Sequence, residues 1–347
     1  MIRRMDDSER RHYNCAILPD RIAPVRHLRG FLLLGALLML GGCDLVLLGP
    51  SGDVARQQSE VMITSTVIIA MIIVPVLIAI AVVAWRYRAS NRHARYDAKW
   101  DHSPQIELLV WAGPLLIIIA VGAISWIGTH QLDPYRPLAQ VAAGKPLPPD
   151  AEPLDVEVVS LQWKWLFFYP QYGIATVNEL AAPVDVPIRF RLTGDTMMDS
   201  FFVPALAGQI YTMPGMQTML HAVINKPGDY KGFSANFSGD GFTDMRFTFH
   251  GMSGEGFAHW VAKVRAQGGD LDRAAYDRLR QPTRDEPVHY YAHFTPDLYT
   301  RILNRCVDPG QTCMSPMMAG DARGGMPMDA MPGHGHTGEA AHAAAMH

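Results

Sequence analysis

The sequence predicts a two-helix membrane hairpin followed by an all-β soluble domain that ends in a helical, aromatic-rich C-terminal extension. Three observations carry that reading. Val61–Ala84 and Leu108–Ile127 contain no charged residue, and at 1.5 Å per residue each is long enough to cross a hydrocarbon core of about 30 Å. From about Pro153 the pattern changes to short apolar-alternating stretches separated by Pro and Gly, which is the period of strands and turns. Two helical patterns and a run of aromatic residues follow beyond residue 253.

The membrane hairpin comes first. The chain has 347 residues, 49% of them hydrophobic, and a formal net charge of −3. That balance points to no nucleic acid or other polyanion as partner. Between the two runs lie Arg86, Arg88, Arg92, Arg95 and Lys99, a short basic loop that is expected to stay cytoplasmic. Both outer ends of the hairpin then face the periplasm. Pro75 and Pro114 lie inside the runs and are expected to bend helices that a membrane tolerates.

Ahead of the hairpin, Arg21, Arg26 and Arg29 precede the apolar stretch Phe31–Leu40 and the tetrapeptide Leu-Gly-Gly-Cys ending at Cys43. A basic region, an apolar core and small residues make an export signal. The small residues before the cysteine resemble a bacterial lipobox, which would make residues 1–42 a signal peptide and Cys43 the lipidated terminus; an uncleaved anchor is the alternative. Residues 43–60 are then a periplasmic segment, 61–85 and 107–128 the spans, and 86–106 the cytoplasmic loop. The soluble domain is expected over 129–252, its extension over 253–306 and a disordered tail over 307–347.

Within the soluble part, Asp155–Leu161, Pro187–Leu192, Gln217–Ile224, Asp229–Phe237 and Met245–His250 read as strands, with turns at Lys226-Pro227-Gly228 and Gly239-Asp240-Gly241. So many short strands in about a hundred residues imply a sandwich or barrel. Gly256–Ala266 and Asp270–Leu279 read as helices, and the segment 289–303 carries Tyr290, Tyr291, Phe294 and Tyr299. His289 and His293 are spaced to share a helix face, as a metal pair or as surface residues. Cys306 and Cys313 form either a disulfide outside the cytoplasm or a copper-binding pair beside Met314. The tail is rich in Met, His, Gly and Ala without a hydrophobic period, which reads as a solvated segment or as a weak copper binder.

Four stretches resemble one family in order: K-W-D-H-S-P-Q-I-E at 99–107, Q-W-K-W-L-F-F-Y-P at 162–170, S-F-F-V-P-A-L-A-G-Q-I-Y-T-M-P-G-M-Q-T at 200–218, and G-F-S-A-N-F-S-G-D-G-F-T-D-M at 232–245. Together they resemble subunit II of the cytochrome bo-type ubiquinol oxidases, within the haem–copper oxidase superfamily. The resemblance implies a cupredoxin-like Greek key for the soluble domain. Related cytochrome c oxidases hold a copper pair on the pattern C-x-x-x-C-x-x-x-H-x-x-M plus an upstream histidine. Laid on this chain, the cysteine places hold Ser234 and Ser238, with Asn236 between them. The histidine places hold Phe242 and Asp199, and only Met245 matches. A mixed-valence copper pair needs thiolate and imidazole donors, and a serine hydroxyl stays protonated near neutral pH. The loop is therefore expected to bind no metal.

The resemblance further implies a proton-pumping complex of the bacterial inner membrane that oxidises ubiquinol and reduces dioxygen to water. Its haems and copper would sit on subunit I, which also meets ubiquinol, with subunits III and IV as further partners. This chain would carry no redox centre and no catalytic residue. Glu107, at the start of the second span, would line the cytoplasmic mouth of a proton channel, or else serve as an interfacial cap. Trp163 and Trp165 would pack rather than relay electrons. Two rival readings are a cytochrome c oxidase subunit II, and a membrane-tethered cupredoxin-like lipoprotein in copper handling or oxidase assembly.

Overall fold

The computed structural model describes residues 46–94, 99–148 and 151–314. The export signal, Cys43, Arg95 and the tail from residue 315 lie outside the described residues. Two helices form the hairpin, α1 (Asp53–Arg86) and α2 (Pro104–Gln131). At 34 and 28 residues they measure about 51 and 42 Å, and both are long and apolar enough to cross a membrane. Each runs through its proline, Pro75 or Pro114, without a break in the helix. Small residues set their approach. A Cβ on Gly128 would stand 3.4 Å from Val61, and one on Gly113 would stand 3.8 Å from Ile72, so glycine lets the helices close up.

α1 begins eight residues before its apolar run, inside the soluble domain. Ala205 O accepts from the backbone N–H of Ser51 (3.0 Å) and Gly52 (2.9 Å), and Leu206 O accepts from Ala55 (3.3 Å). No side chain caps this helix. Loop carbonyls therefore satisfy N–H groups that a helix start leaves open. On the other side Asn225 N donates to Ser51 O at 2.8 Å and Lys226 Nζ to Pro50 O at 3.1 Å. Gly52 fits because a Cβ there would lie 2.6 Å from Val223 O and 2.7 Å from Leu206 O.

After a small ribbon, β1 (Gln140–Ala142) and β2 (Lys145–Pro146), the chain builds a two-sheet sandwich. One sheet contains β3 (Leu154–Leu161), β4 (Lys164–Tyr169), β5 (Ile174–Val177), β7 (Pro187–Gly194), β10 (Thr218–Val223), β13 (Gly269–Leu271) and β14 (His289–Phe294). Its order is β10-β7-β3-β4-β5-β14-β13. The other runs β6-β12-β11-β8-β9, from β6 (Glu179–Pro183), β8 (Asp199–Phe202), β9 (Ile210–Thr212), β11 (Gly228–Ser234) and β12 (Arg246–Met252). β3 pairs parallel with β7, and β6 with β12, across long connections. This is the cupredoxin-like sandwich with an aromatic-rich extension, in which the helical part is minor.

The motif at 162–170 is the centre of the packing. Every residue of β4 is buried, because the strand serves two cores. Trp165 and Phe167 point into the sandwich, where Trp165 meets Phe201 at 5.4 Å and Phe167 meets Phe247 at 5.1 Å. Leu166 and Phe168 point the other way, toward the extension, where Phe168 meets Phe294 at 5.1 Å. Fully burying such rings contributes about 1.5–3 kcal/mol each. Lys164 lies at the strand's start, 1% exposed, donating to Leu279 O (2.8 Å) and Gln281 O (2.9 Å) with Glu286 at 3.4 Å. Burial lowers its pKa, against the pull of Glu286.

The extension comprises α3 (Gly254–Gln267), β13, α4 (Arg273–Leu279), β14 and α5 (Leu298–Leu303). Three expectations need correction. The helix expected over Asp270–Leu279 starts only at Arg273, because Asp272 Oδ1 accepts from Ala275 N (2.7 Å) and caps it. His289 and His293 lie on a strand, not a helix, and His289 Nε2 binds Glu286 at 2.8 Å instead of pairing with His293. The strand expected over Asp229–Phe237 ends at Ser234. Cys306 and Cys313 form a disulfide with Cα atoms 4.8 Å apart, which decides between the two readings of that pair.

Glu179 ties the extension to the sandwich. Its carboxylate accepts from Trp260 Nε1 on α3 (2.6 Å) and Tyr290 OH on β14 (3.0 Å), and lies 3.8 Å from His250 Nε2 on β12. His250 Nδ1 in turn meets Asp229 at 2.6 Å, and Lys263 donates to the Tyr290 hydroxyl at 2.8 Å.

Candidate functional site

The loop between β11 and β12 gathers most of the residues singled out in the sequence. Asp199 opens β8 and Ser234 ends the neighbouring β11; Asn236 and Ser238 follow in the loop, and Phe242 begins a single 3-10 turn, Phe242–Asp244. Ser234 N donates to Met245 O at 3.2 Å and Ala235 N to Ser200 O at 2.9 Å, so backbone bonds close the loop's base. Ser234 Oγ stands 3.4 Å from Asp199 Oδ1 and 3.4 Å from Asn236 Oδ1. Asp199, Ser234, Asn236 and Ser238 thus come together. Phe242 does not join them; its ring packs on Phe237 at 5.1 Å. Met245 is wholly buried in the sandwich core.

Asp199 is also wholly buried. Burial pushes its carboxyl above the ordinary carboxylate range, with the hydroxyls of Ser238, Ser160 and Ser234 working against that rise. Neither its Oδ2 nor Ser238 Oγ makes a well-aligned hydrogen bond. The donors are therefore hard oxygens. They do not fit a mixed-valence copper pair, which needs soft sulfur and imidazole ligands. Among the described residues no three His, Cys, Asp or Glu side chains converge as a metal site.

Trp163 holds the loop from outside. It adopts a left-handed backbone (φ 65°) in the β3–β4 turn, and its indole N–H donates to Ser238 O at 2.9 Å. The ring lies against Gly241, where a Cβ would come within 2.4 Å. This clamp escapes sequence reading because its partners are 75 residues apart; the glycines flanking Asp240 are the only local signal of a close approach. Trp165, by contrast, is core.

Glu107 sits in the first turn of α2, which Pro104 opens. It pairs with His102 Nδ1 at 2.5 Å and accepts from Ser103 N at 3.4 Å. Its side chain is about half exposed (47%), at the end of a membrane-length helix, where an acid complements the helix N-terminus.

Against known families, residues 265–310 match the model described as the COX Aromatic Rich Motif, which covers the end of α3 and the rest of the extension. The chain is 44% identical over 275 residues to cytochrome bo(3) ubiquinol oxidase subunit 2 of Pseudomonas aeruginosa, covering 79% of this chain and 80% of that protein. It is 45% identical to ubiquinol oxidase subunit 2 of Acetobacter aceti, covering 78% and 85% respectively. Among solved structures, the periplasmic domain of subunit II of cytochrome oxidase from Bradyrhizobium japonicum aligns at 24% identity and a TM-score of 0.32, over 34% of this chain and 96% of that one. A membrane-anchored hairpin carrying a cupredoxin-like domain with an aromatic-rich extension defines an oxidase subunit II. The chain belongs to the ubiquinol oxidase subunit 2 family.

Proposed function

We propose that this chain is the non-redox second subunit of a proton-pumping ubiquinol oxidase in a bacterial inner membrane. Its partner subunit I carries the haems and copper and meets ubiquinol, with subunits III and IV completing the complex. The soluble domain faces the periplasm, and Cys43 carries a lipid after removal of residues 1–42. The observation that carries the redox part of this reading is the oxygen-only donor set around Asp199 in place of thiolates and imidazoles. Ubiquinol dissolves in the bilayer and delivers electrons from within it, so the soluble domain needs no copper relay. Glu107 has the placement of a proton-gathering acid: half exposed, ionisable and at the end of a membrane-length helix. It lines the cytoplasmic mouth of a proton channel completed by subunit I.

The test is the purified complex, with this chain truncated after Met314 so that the Met/His-rich tail is removed and the Cys306–Cys313 disulfide is kept. Ubiquinol-driven oxygen uptake, with no copper assigned to this chain, is the expected result. Two tightly held coppers on the chain, with thiolate absorption in the visible, would overturn the reading.

A further inference from the structure

A cavity of about 450 Å³ opens where the hairpin meets the soluble domain, within the size range of clefts that hold small ligands. Asp53 and Gln57 of α1 line it, with Gln131 at the end of α2, Asp133 and Arg136 in the segment that follows, and His221 on β10. A second recess of about 180 Å³ shares Gln57 and Gln131 and continues between the helices to Val61, Thr64 and Ile124. Helix rise gives the depth. Gln57 lies four residues before the charge-free run opens at Val61, and Gln131 four residues past Ile127, where the other run ends. At 1.5 Å per residue both stand about 6 Å beyond the hydrocarbon, in a headgroup layer about 5–7.5 Å thick on each side. The upper cavity therefore opens at headgroup depth, and the lower recess reaches the acyl chains.

Charge narrows the choice of lipid. Asp53 is already satisfied by Arg56 (2.7 Å), Gln57 (2.7 Å) and Gln140 (3.1 Å). His221 adds no charge near neutral pH, because burial and then Arg189 lower its pKa. Asp133 accepts from the backbone of Tyr135 at 3.0 Å, and the Arg136 guanidinium has no partner among the described residues. Both belong to one turn, closed by Arg136 N donating to Asp133 O at 3.0 Å, yet no ion pair joins their side chains. The cavity thus offers one open cation beside one open anion. A zwitterion neutralises both: the guanidinium fork matches a phosphate, and the carboxylate an ammonium. An anionic headgroup would leave the carboxylate facing like charge. We propose that this cavity holds a zwitterionic, amine-bearing phospholipid, its phosphate on Arg136, its ammonium on Asp133 and its acyl end toward Thr64 and Ile124. The site rests on the membrane hairpin and not on the oxidase reading.

The test uses the full chain in a non-ionic detergent at constant pH and ionic strength. The probes are phosphatidylethanolamine, phosphatidylcholine, phosphatidylglycerol and water-soluble phosphoethanolamine. Native mass spectrometry should show one phosphatidylethanolamine retained per chain in preference to the other two lipids. Soluble phosphoethanolamine at equal concentration should not displace it. Arg136→Gln should weaken retention about tenfold, as loss of a charged hydrogen bond does. Asp133→Asn should abolish the preference over phosphatidylcholine, whose quaternary amine has no N–H to donate. Lys231→Gln, on β11, should change neither. Equal retention of the three lipids, tighter phosphatidylglycerol, or undiminished retention in Arg136→Gln would overturn the proposal. Displacement by phosphoethanolamine at equal concentration would assign the cavity to a soluble phosphate compound and overturn the lipid. In the purified complex, Arg136→Gln should carry about one phosphatidylethanolamine fewer; unchanged lipid content there would give the cavity to a neighbouring subunit and overturn the proposal as well.

Discussion

Replacing Glu179 with Gln tests how the extension is fastened. The glutamate side chain is only 12% exposed. Burial alone would raise its pKa, but contacts with His250, Trp260 and Tyr290 overcome that and hold it at about 2, from an ordinary 4.5. That displacement corresponds to about 3 kcal/mol favouring the folded, ionised state. The sign follows from a depressed acid: its contribution is complete above pH 4.5 and is lost as pH falls through about 2. His250 behaves oppositely. Glu179, then Asp229, hold its imidazole above the ordinary 6.5 against burial, so its contribution is complete below 6.5 and is lost as pH rises through the raised value. The clamp is strongest between pH 4.5 and 6.5. Glu179→Gln keeps the shape but removes the charge, and should cost about 2–3 kcal/mol at pH 6. Urea unfolding of the full chain in detergent, followed by tryptophan fluorescence, measures it. As pH rises through the His250 transition, the wild type should lose stability that the variant never had, and the gap should narrow. A difference below about 0.5 kcal/mol at pH 6, the size of an ordinary surface change, would refute the clamp. A gap that stays constant into alkaline pH would remove His250 from it.

Gly52→Ala should destabilise the junction between α1 and the soluble domain by about 1–3 kcal/mol, because the new methyl meets two carbonyl oxygens. Faster proteolysis near residues 46–56 in the full chain reads that out. Glu107→Ala should slow ubiquinol-driven turnover while leaving assembly and haem content intact, and the same change at Asp101 should be tolerated; wild-type turnover in assembled Glu107→Ala would reduce the residue to a cap. Intact-mass measurement of the purified chain should show loss of residues 1–42 and added lipid on Cys43, and Cys43→Ala should stay in the membrane through its two helices. An unprocessed wild-type terminus would sink the lipid assignment.

What was legible in the sequence follows physical lines. The two spans are readable because charge-free runs of that length have few other uses, and β3, β7, β10 and β12 because one face of each alternates. β4 and β5 carry no alternation, since they are buried throughout. A short, fully apolar strand cannot be told from a buried helix segment by period alone. The loop's missing ligands could be read from spacing, but its occupants' behaviour could not. That Phe242 turns to Phe237, and that Asp199 is sealed among serines, depends on strands joined only in the fold. The Glu179 hub was invisible for the same reason, as Tyr290 lies 111 residues beyond it.

The seating of α1 also sets an order of events. Gly52 and its first helical neighbours leave the ribosome long before the carbonyls of Ala205 and Leu206 that receive their N–H groups. At about 5–20 residues per second, the intervening stretch of about 150 residues takes roughly 8–30 s to synthesise. During that interval the start of the first helix has only water for its open donors. The hairpin can enter the bilayer early, but its seating on the soluble domain waits until the segment around Ala205 and Leu206 has been made and folds back onto a helix already in place.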